Sequence, residues 1–395
     1  MSGTQYTTLM EVFQNIPDPR KARGKRYPLA YLLALISAAM AAGQKAGRGI
    51  AQWIQLHASE VIECLDPPRE SMPSASTIRR IMRDVDAEVL EQAVSILVLA
   101  QGSSEEGADA SSLEAQEGED RRLQGMALDG KELRGMRAHG QPMALMSLTD
   151  HESGVVYVQR AVDQGSNEIT AAPKLLEGLE LQGKVITMDA LHTQRALAEQ
   201  ILEQGGDYLM IVKDNQPELR ASIALLFDEP PWLPRQRQQE WQSQQTVSKG
   251  HGRLETRVLE TSNALSDYLD WPGVVQVMRR SCRRVRMKTG EVEHNTSYGI
   301  TSLPWSQVSA AQIEALWRGH WTIENRVHYV RDVTMGEDAC QMRTGNAPQT
   351  MATLRNTLLS LFRDNGWSNI ADALRYYAAN FSQALELVGA VPDRL

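Results

Sequence analysis

Cysteine is scarce in this 395-residue chain: Cys64, Cys282 and Cys340 stand far apart, and no two form a Cys-x-x-Cys pair. That spacing excludes a disulfide framework and a zinc ribbon, and it suits a reducing cytoplasm. Long apolar runs are equally few. The one present, PLAYLLALISAAMAAG at 28–43, follows the basic RKARGKR and so imitates a secretory signal. It begins too far from the N-terminus and is too short to span a bilayer comfortably, so it reads as a buried helix with no membrane partner. Positive charge is also lacking overall, the net being −8. The total hides its distribution, with acid gathered in SSEEGADASSLEAQEGED (103–120) and base in DPRKARGKR (18–26) and RRSCRRVRMK (279–288). Local patches govern attraction to phosphate, so a nucleic-acid partner stays open. Internal repeats are absent.

What is present is an ordinary globular composition, 42% hydrophobic, with length enough for two or three domains. Helical spacing over 9–20, 28–43, 48–64 and 74–100, with Ser74 or Ser76 as an N-cap, predicts an all-helical N-terminal domain over 1–100. Its last segments have the helix, Pro-containing turn and basic helix order of a helix-turn-helix. The acidic stretch at 101–120 has little to bury and reads as a linker. Beyond it the period changes. Strands are predicted at 125–130, 143–150, 154–162, 184–190 and 207–212, and helices at about 168–180, 192–204 and 216–228. This is an α/β pattern, βββαβαβα, with a mixed sheet covered by helices. A mostly β insertion over 232–305 interrupts it, so the core comprises 121–231 and 306–366, followed by a helical tail at 367–395.

Asp129 ends the strand in ALDGK and Asp189 ends the strand in ITMDA, each followed by a small residue, Gly130 or Ala190. In a sheet of this order the two strands can be neighbours, which brings both carboxylates to one edge. Buried unpaired carboxylates are expensive, and a cation between them balances the charge. Each Asp alone is as readily explained as the cap of a following turn. The third acid lies in RGHWTIENRVHYVRD (318–332), where a continuous helix puts Trp317, His320, Glu324, His328 and Arg331 on one stripe. The plainer reading of that stripe is a solvated face with Glu324 and His328 as an i,i+4 pair. Together, Asp129, Asp189 and Glu324 make an all-oxygen ligand set suited to two Mg²⁺ or Mn²⁺ ions, which stabilise the attacking and leaving oxygens of an in-line phosphoryl transfer.

Five ordered blocks carry a resemblance: FQNIPDPRKARGKRYPLAYLL, LDGKELRG, GSNEITAAPKLLEGLELQGKVITMDALHTQ, DYLMIVKDNQPEL and HWTIENRVHYVRDVTMGEDACQMRTGNAP. Over about 11–365 the chain resembles the H-repeat-associated (ISAs-type) family of bacterial DDE insertion-sequence transposases. The resemblance implies an RNase H-like catalytic domain with a β insertion between the second and third acids, behind a helical family-specific domain. It implies the triad Asp129, Asp189 and Glu324. Related insertion-sequence transposases carry a Tyr, Arg, Glu, Lys signature where this chain has Trp317, His320, Glu324 and Arg331, so Arg331 is expected as a phosphate cation in place of lysine.

Around the acids, Lys131 and Arg134 are placed to hold a scissile phosphate or pair with the acids, and His192 to orient Asp189 or touch DNA. Asn167 and Glu168 open a helix, with Glu168 read as its cap. Lys213, Asn215 and Gln216 sit at a strand-to-helix turn suited to phosphate. Glu337 and Asp338 compete with Glu324 for the third position, but their surroundings are less cationic. The expected DNA-binding residues are Arg20, Lys21, Arg23, Lys25 and Arg26, then Arg79 and Arg80, and Arg279, Arg280, Arg283, Arg284 and Arg286. The implied activity is a DNA transposase that hydrolyses a phosphodiester at the element end and joins the freed 3′-OH to target DNA. Terminal inverted repeats and target DNA would be its partners, and a homodimer would form at synapsis, in a bacterial cytoplasm or on the nucleoid. The rival readings are a catalytically silent DNA-binding descendant and a simple metal-dependent nuclease.

Overall fold

The computed structural model describes residues 7–65, 67, 69–109, 123–138, 141–163, 165–229 and 241–390. The N-terminal helices are α1 (Leu9–Gln14), α2 (Leu29–Ala41), α3 (Gly47–Leu56), α4 (Ala58–Leu65), α5 (Ala75–Asp84) and α6 (Ala87–Asp109). Then follow β1 (Gln124–Ala138), β2 (Gln141–Asp150), β3 (Val156–Ala161), α7 (Glu168–Leu176), β4 (Lys184–Met188), α8 (Arg195–Glu203), β5 (Asp207–Val212) and α9 (Pro217–Asp228). The insertion holds β6 (Trp241–Gly250), β7 (Arg253–Ser262), β8 (Gln276–Arg286) and β9 (Val292–Thr301). Helix α10 (Ala310–Gly319), two π-helical segments (Ile323–His328 and Val330–Thr334), α11 (Ala347–Asp364), α12 (Ile370–Ala379) and α13 (Phe381–Leu387) complete the chain. It is a mixed α/β protein with a large mixed sheet and helices at its N-terminus. No described helix is long and apolar enough to cross a membrane.

Several boundaries differ from expectation for local reasons. Helix α1 stops at Gln14, ahead of the prolines in NIPDP. The segment at 48–64 breaks because His57 closes α3, its Nδ1 bonded to the Trp53 carbonyl at 2.9 Å. The segment at 74–100 breaks because Val85 is extended and Asp86 accepts from the Glu88 and Val89 amides, capping a new helix. Helix α6 then runs on through 101–109, where a linker was expected, since its Ser, Glu and Ala residues can extend a helix already nucleated. The rest of that stretch, 110–120, lies outside the described residues, as do the start of the insertion (232–240) and the end of the tail (391–395).

The chain divides into two compact units, one of 1–115, 130–166 and 323–395 and the other of 116–129 and 167–322. In the first, α2 is buried along its whole length, as the apolar run at 28–43 requires, and α1, α3, α5, α11, α12 and α13 pack around it. Helix α6 lies on β3 and α11, and β2 pairs antiparallel with β3.

In the second unit the strand order is β1-β4-β5-β9-β8-β7-β6. Strands β1, β4 and β5 are parallel, while β9 returns antiparallel beside β5, so the insertion extends the same sheet. Its core gathers Val185, Leu209, Leu259, Met278, Leu316 and Trp317. A Cβ on Gly299 in β9 would stand 2.9 Å from both the Trp317 ring and the Met278 methyl, so only glycine lets α10 settle this close to the sheet.

Candidate active site

The first two acids are set by strand register in the second unit. Leu128 of β1 pairs with Met188 of β4, and the next residues are Asp129 and Asp189. Parallel neighbours stand roughly 4.8 Å apart. Both aspartates are half-buried, one residue past the last parallel pair; β4 ends there, whereas β1, expected to stop at 130, runs on to Ala138. Asp189 is also a cap, its Oδ1 accepting from the Leu191 amide at 2.9 Å at the start of a short 3₁₀ turn, so capping and availability for a ligand coexist. Below the pair, Thr187 donates to the Met126 carbonyl at 3.2 Å and meets Nδ1 of His320 at 3.1 Å. His320 therefore ties the end of α10 to the two acid-bearing strands.

The residues after Asp189 are braced rather than open. Asn215 donates to the Ala190 carbonyl at 2.6 Å and Gln216 to the Thr193 carbonyl at 3.0 Å, leaving exposed Lys213 as the phosphate candidate of that turn. His192 is buried, with Nε2 at 3.8 Å from Glu168, and burial pushes its pKa down; a neutral ring with no exposed edge does not contact DNA. The cap of α7 is Asn167, in a capping box with Thr170, rather than Glu168.

Glu324 lies in the first unit, in π-helical backbone where one continuous α-helix was expected. The Met335 amide donates to the Val330 carbonyl, an i→i+5 bond, at 2.9 Å. Such widened turns recur at functional positions. The expected common stripe is thereby broken: Trp317 is buried in the second unit's core, while Glu324 is exposed and His328 and Arg331 turn inward in the first unit. His328 Nδ1 stands 3.2 Å from Glu324 Oε2. Burial pushes the His328 pKa down, so at neutral pH the neutral ring donates to the carboxylate. That hydrogen bond, with the Lys131 charge, holds the Glu324 carboxyl below its usual range and keeps it ionised. Lys131 itself is nearly buried and donates to Asp332 at 2.6 Å. The stretch of β1 that begins just after Asp129 is thus locked to the Glu324 segment within one unit. Asp332 was not singled out in the sequence, where an Arg-Asp pair in a charged helix carries no signal of its own.

Arg331 is not a phosphate cation. Its side chain is 0% exposed and grips Glu337 through Nη2 at 2.7 Å and Nε at 3.1 Å. Glu337 also takes Arg355 Nη1 at 3.2 Å. Burial pushes the Glu337 carboxyl up, but the two guanidiniums more than reverse this and hold it below the usual range. Glu337 is therefore a buried counter-ion, removed from the contest for the third acid, and Asp338 is paired with Arg134 at 3.3 Å.

From Arg331 a chain of buried hydrogen bonds continues through Asn356 and Gln159 to Glu91 of α6. Glu91 accepts from Gln159 at 2.7 Å, Gln349 at 3.0 Å and Thr353 at 3.2 Å, yet burial with no cation among these partners pushes it up to about 7. A folded-state value above the ordinary 4.5 means that the native chain keeps a proton the unfolded chain has lost. The stability this group confers is complete below pH 4.5 and is lost as pH rises to 7, by roughly 3 kcal/mol over the window. Melting midpoints are expected to fall from pH 5 to pH 7 more steeply in the wild type than in Glu91→Gln. Parallel pH profiles for the two proteins would remove this assignment.

Of the basic residues expected on DNA, Arg20 turns inward, with Nη2 bonded to Asp18 at 2.8 Å and to the Tyr27 carbonyl at 2.7 Å. Lys21, Arg23, Lys25 and Arg26 remain exposed around a 3₁₀ turn, as do Arg79 and Arg80 on α5. On β8, Arg279 pairs with Glu260 and Asp228, Arg280 with Glu314, Arg284 with Glu255 and Glu293, and Arg286 with Glu291 and Glu293. Period-two alternation along β8 sets most of that basic run against carboxylates, which a charge count along the sequence cannot show.

In the second unit two aspartates directly follow the last parallel pair of β1 and β4, and in the first a glutamate is kept ionised on a π-helical turn. The model of the transposase DDE domain matches residues 109–361, a span containing Asp129, Asp189 and Glu324, and the model of its associated segment matches 10–97. The chain belongs to the DDE transposase family. It is 30% identical over 370 residues to "Putative protein YbfL" of Escherichia coli K12, covering 90% of each chain. It is 34% identical over 252 residues to "H repeat-associated putative transposase YhhI" of the same strain, 61% of this chain and 64% of that one. With "Putative transposase YncI" of Escherichia coli O157:H7 it shares 28% identity over 368 residues, 90% and 87% of the two chains. A chain from a piggyBac transposase synaptic complex with hairpin DNA matches at a TM-score of 0.44 and 9% identity, over 98% of this chain and 82% of that one, which is too distant to assign a fold.

Proposed function

We propose that this chain is an active DNA transposase in which Asp129, Asp189 and Glu324 act on one phosphodiester. The succession of β1 to β3, then β4 and β5 alternating with helices, with β1, β4 and β5 parallel, supports an RNase H-like reading of the core. The observation that carries the proposal is the pairing of Leu128 with Met188, after which the next residue on each of two adjacent parallel strands is a carboxylate.

The donor set fits Mg²⁺ or Mn²⁺. Asp129, Asp189 and Glu324 offer hard oxygen ligands, and Glu324 is held ionised by His328 and Lys131. Asp129 and Asp189 would hold both ions and Glu324 would complete one site. Bound there, the cations stabilise charge on the attacking and leaving oxygens. The chain's own part is positional: His328 aims the Glu324 carboxylate, Lys131 holds β1 to the Glu324 segment through Asp332, and His320 buttresses β4 from below. The N-terminal helices, with exposed Lys21, Arg23, Lys25, Arg26, Arg79 and Arg80, are assigned to the terminal repeats, and synapsis of two ends calls for two copies.

The test is a divalent-ion titration with duplexes taken from the DNA flanking the gene, scoring both nicking and joining. Mn²⁺-dependent nicking followed by joining to target DNA is expected. Binding with no cleavage at any Mn²⁺ concentration would identify a silent descendant, and cleavage without joining would identify a nuclease; either outcome overturns the proposal.

A further inference from the structure

The register of β6 to β9 sorts the insertion's side chains onto two faces of different charge. Cross-strand partners share a face, and residues along a strand alternate between faces. Through the pairs Ser248↔Glu255, Glu255↔Arg284 and Arg284↔Glu293, one face collects Glu255 and Glu293 with Arg257, Arg284 and Arg286. Its charges are spent on one another: Arg284 Nε lies 2.7 Å from Glu255, Arg286 Nη2 lies 2.9 Å from Glu293, and Arg257 also pairs with Glu255.

The other face is built through Val247↔Thr256, Thr256↔Arg283 and Arg283↔His294, and through Lys249↔Leu254, Leu254↔Val285 and Val285↔Val292. Helix α9 covers its near end, where Arg279 lies over Phe227 and Arg220 over Tyr298. Beyond α9 it holds no carboxylate among the described residues. Lys249, Arg283 and His294 are exposed there, and among the described residues neither Lys249 nor Arg283 is ion-paired. Between them stand Val247, 60% exposed, Val292, 42% exposed, and Met287, 52% exposed, at the adjoining turn.

Resting on the reading that this chain acts on DNA, we propose that this acid-free face, and not the arginine run as a whole, is where the insertion meets duplex DNA. Lys249, Arg283 and His294 would lie on phosphates, with Val247, Met287 and Val292 against sugars and groove edges. The charge pattern selects this occupant over a second copy of the chain, because two such faces brought together would oppose cation to cation with no acid to pair.

The experiment measures affinity of the full chain for a fluorescein-labelled duplex by anisotropy across a salt series. Arg283→Glu is compared with Arg286→Glu, an equal reversal of charge on the opposite face. Arg283→Glu is expected to weaken binding about 10-fold and to lower the slope of log Kd against log salt by about one, while Arg286→Glu changes affinity less than about 2-fold. Lys249→Glu should act as Arg283→Glu does, and far-UV circular dichroism checks that each variant is folded. Equal weakening by Arg283→Glu and Arg286→Glu, or wild-type binding by folded Arg283→Glu, overturns the proposal. So does a wild-type dimer that Arg283→Glu dissociates in light scattering, which would give the face to a second copy. These failures leave Mn²⁺-dependent cleavage and joining untouched, whereas failure of the transposase reading shows as loss of cleavage or of joining, whatever the face does.

Discussion

Glu324→Gln is expected to lower Mn²⁺-dependent cleavage of an element-end duplex by at least about 10³-fold, a loss of roughly 4 kcal/mol of transition-state stabilisation. The change keeps the shape of the side chain and its contact with His328 while removing the charge that the site maintains. Two features hold that charge in place: the hydrogen bond from a buried, neutral His328 and the nearby Lys131 ammonium. Neither would be needed for a surface glutamate with no ligand to meet. Asp189→Asn should behave in the same way, since the amide can still accept from the Leu191 N–H and preserve the cap. Duplex affinity and melting temperature are expected to stay at wild-type values in both variants, which separates loss of chemistry from loss of fold. Cleavage within 10-fold of wild type in folded Glu324→Gln would show that Glu324 serves only as a surface partner of His328. His328→Ala gives an intermediate check, because it removes the residue that aims the carboxylate but leaves the carboxylate itself.

How far these roles were legible in the sequence depended on the range over which each is determined. The strand end at Asp189 is a local feature, written in an apolar run followed by a small residue, and β4 ends at Met188 as that pattern predicts; the same pattern at Asp129 misled, since β1 runs on to Ala138. Strand β5 likewise occupies 207–212 as expected, because DYLMIV is a short buried run between turns. The Glu324 segment was misread because an α-helical period was extended past Gly319, whereas the backbone is π-helical over Ile323–His328 and again over Val330–Thr334. Arg331 shows the same limit. A cation on a charged helix face reads as exposed, and only the acid six residues later, folded back through the bond from the Glu337 amide to the Arg331 carbonyl at 2.9 Å, draws it into the core. The basic run on β8 was correct as composition and misleading as a surface, since the carboxylates that neutralise it come from β7, β9, α9 and α10.

Glu337→Ala is expected to destabilise the protein by about 3–5 kcal/mol, because it strands two guanidiniums in a region sealed from water. Arg331 and Arg355 are 0% and 1% exposed, and Glu337 is the carboxylate that both of them grip. Removing it leaves Arg331 with the neutral Asn356 oxygen as its remaining described partner, at 3.3 Å. The cost therefore exceeds the value of the lost contacts, since desolvation of each cation is no longer offset. Equilibrium urea unfolding measures this directly. The double variant Arg331→Met/Glu337→Ala supplies the decisive comparison: if the damage of Glu337→Ala arises from uncompensated charge, deleting one arginine as well should recover part of the loss, so that the two substitutions together cost less than the sum of each alone. Strict additivity would mean that Glu337 contributes by packing and by its backbone bond to Arg331 instead. Cleavage by any folded variant of this group then tests whether the pair matters for chemistry, because Arg331 lies seven residues beyond Glu324 and anchors the segment that carries it; a stable double variant is expected to retain DNA binding while needing more Mn²⁺ for half-maximal cleavage.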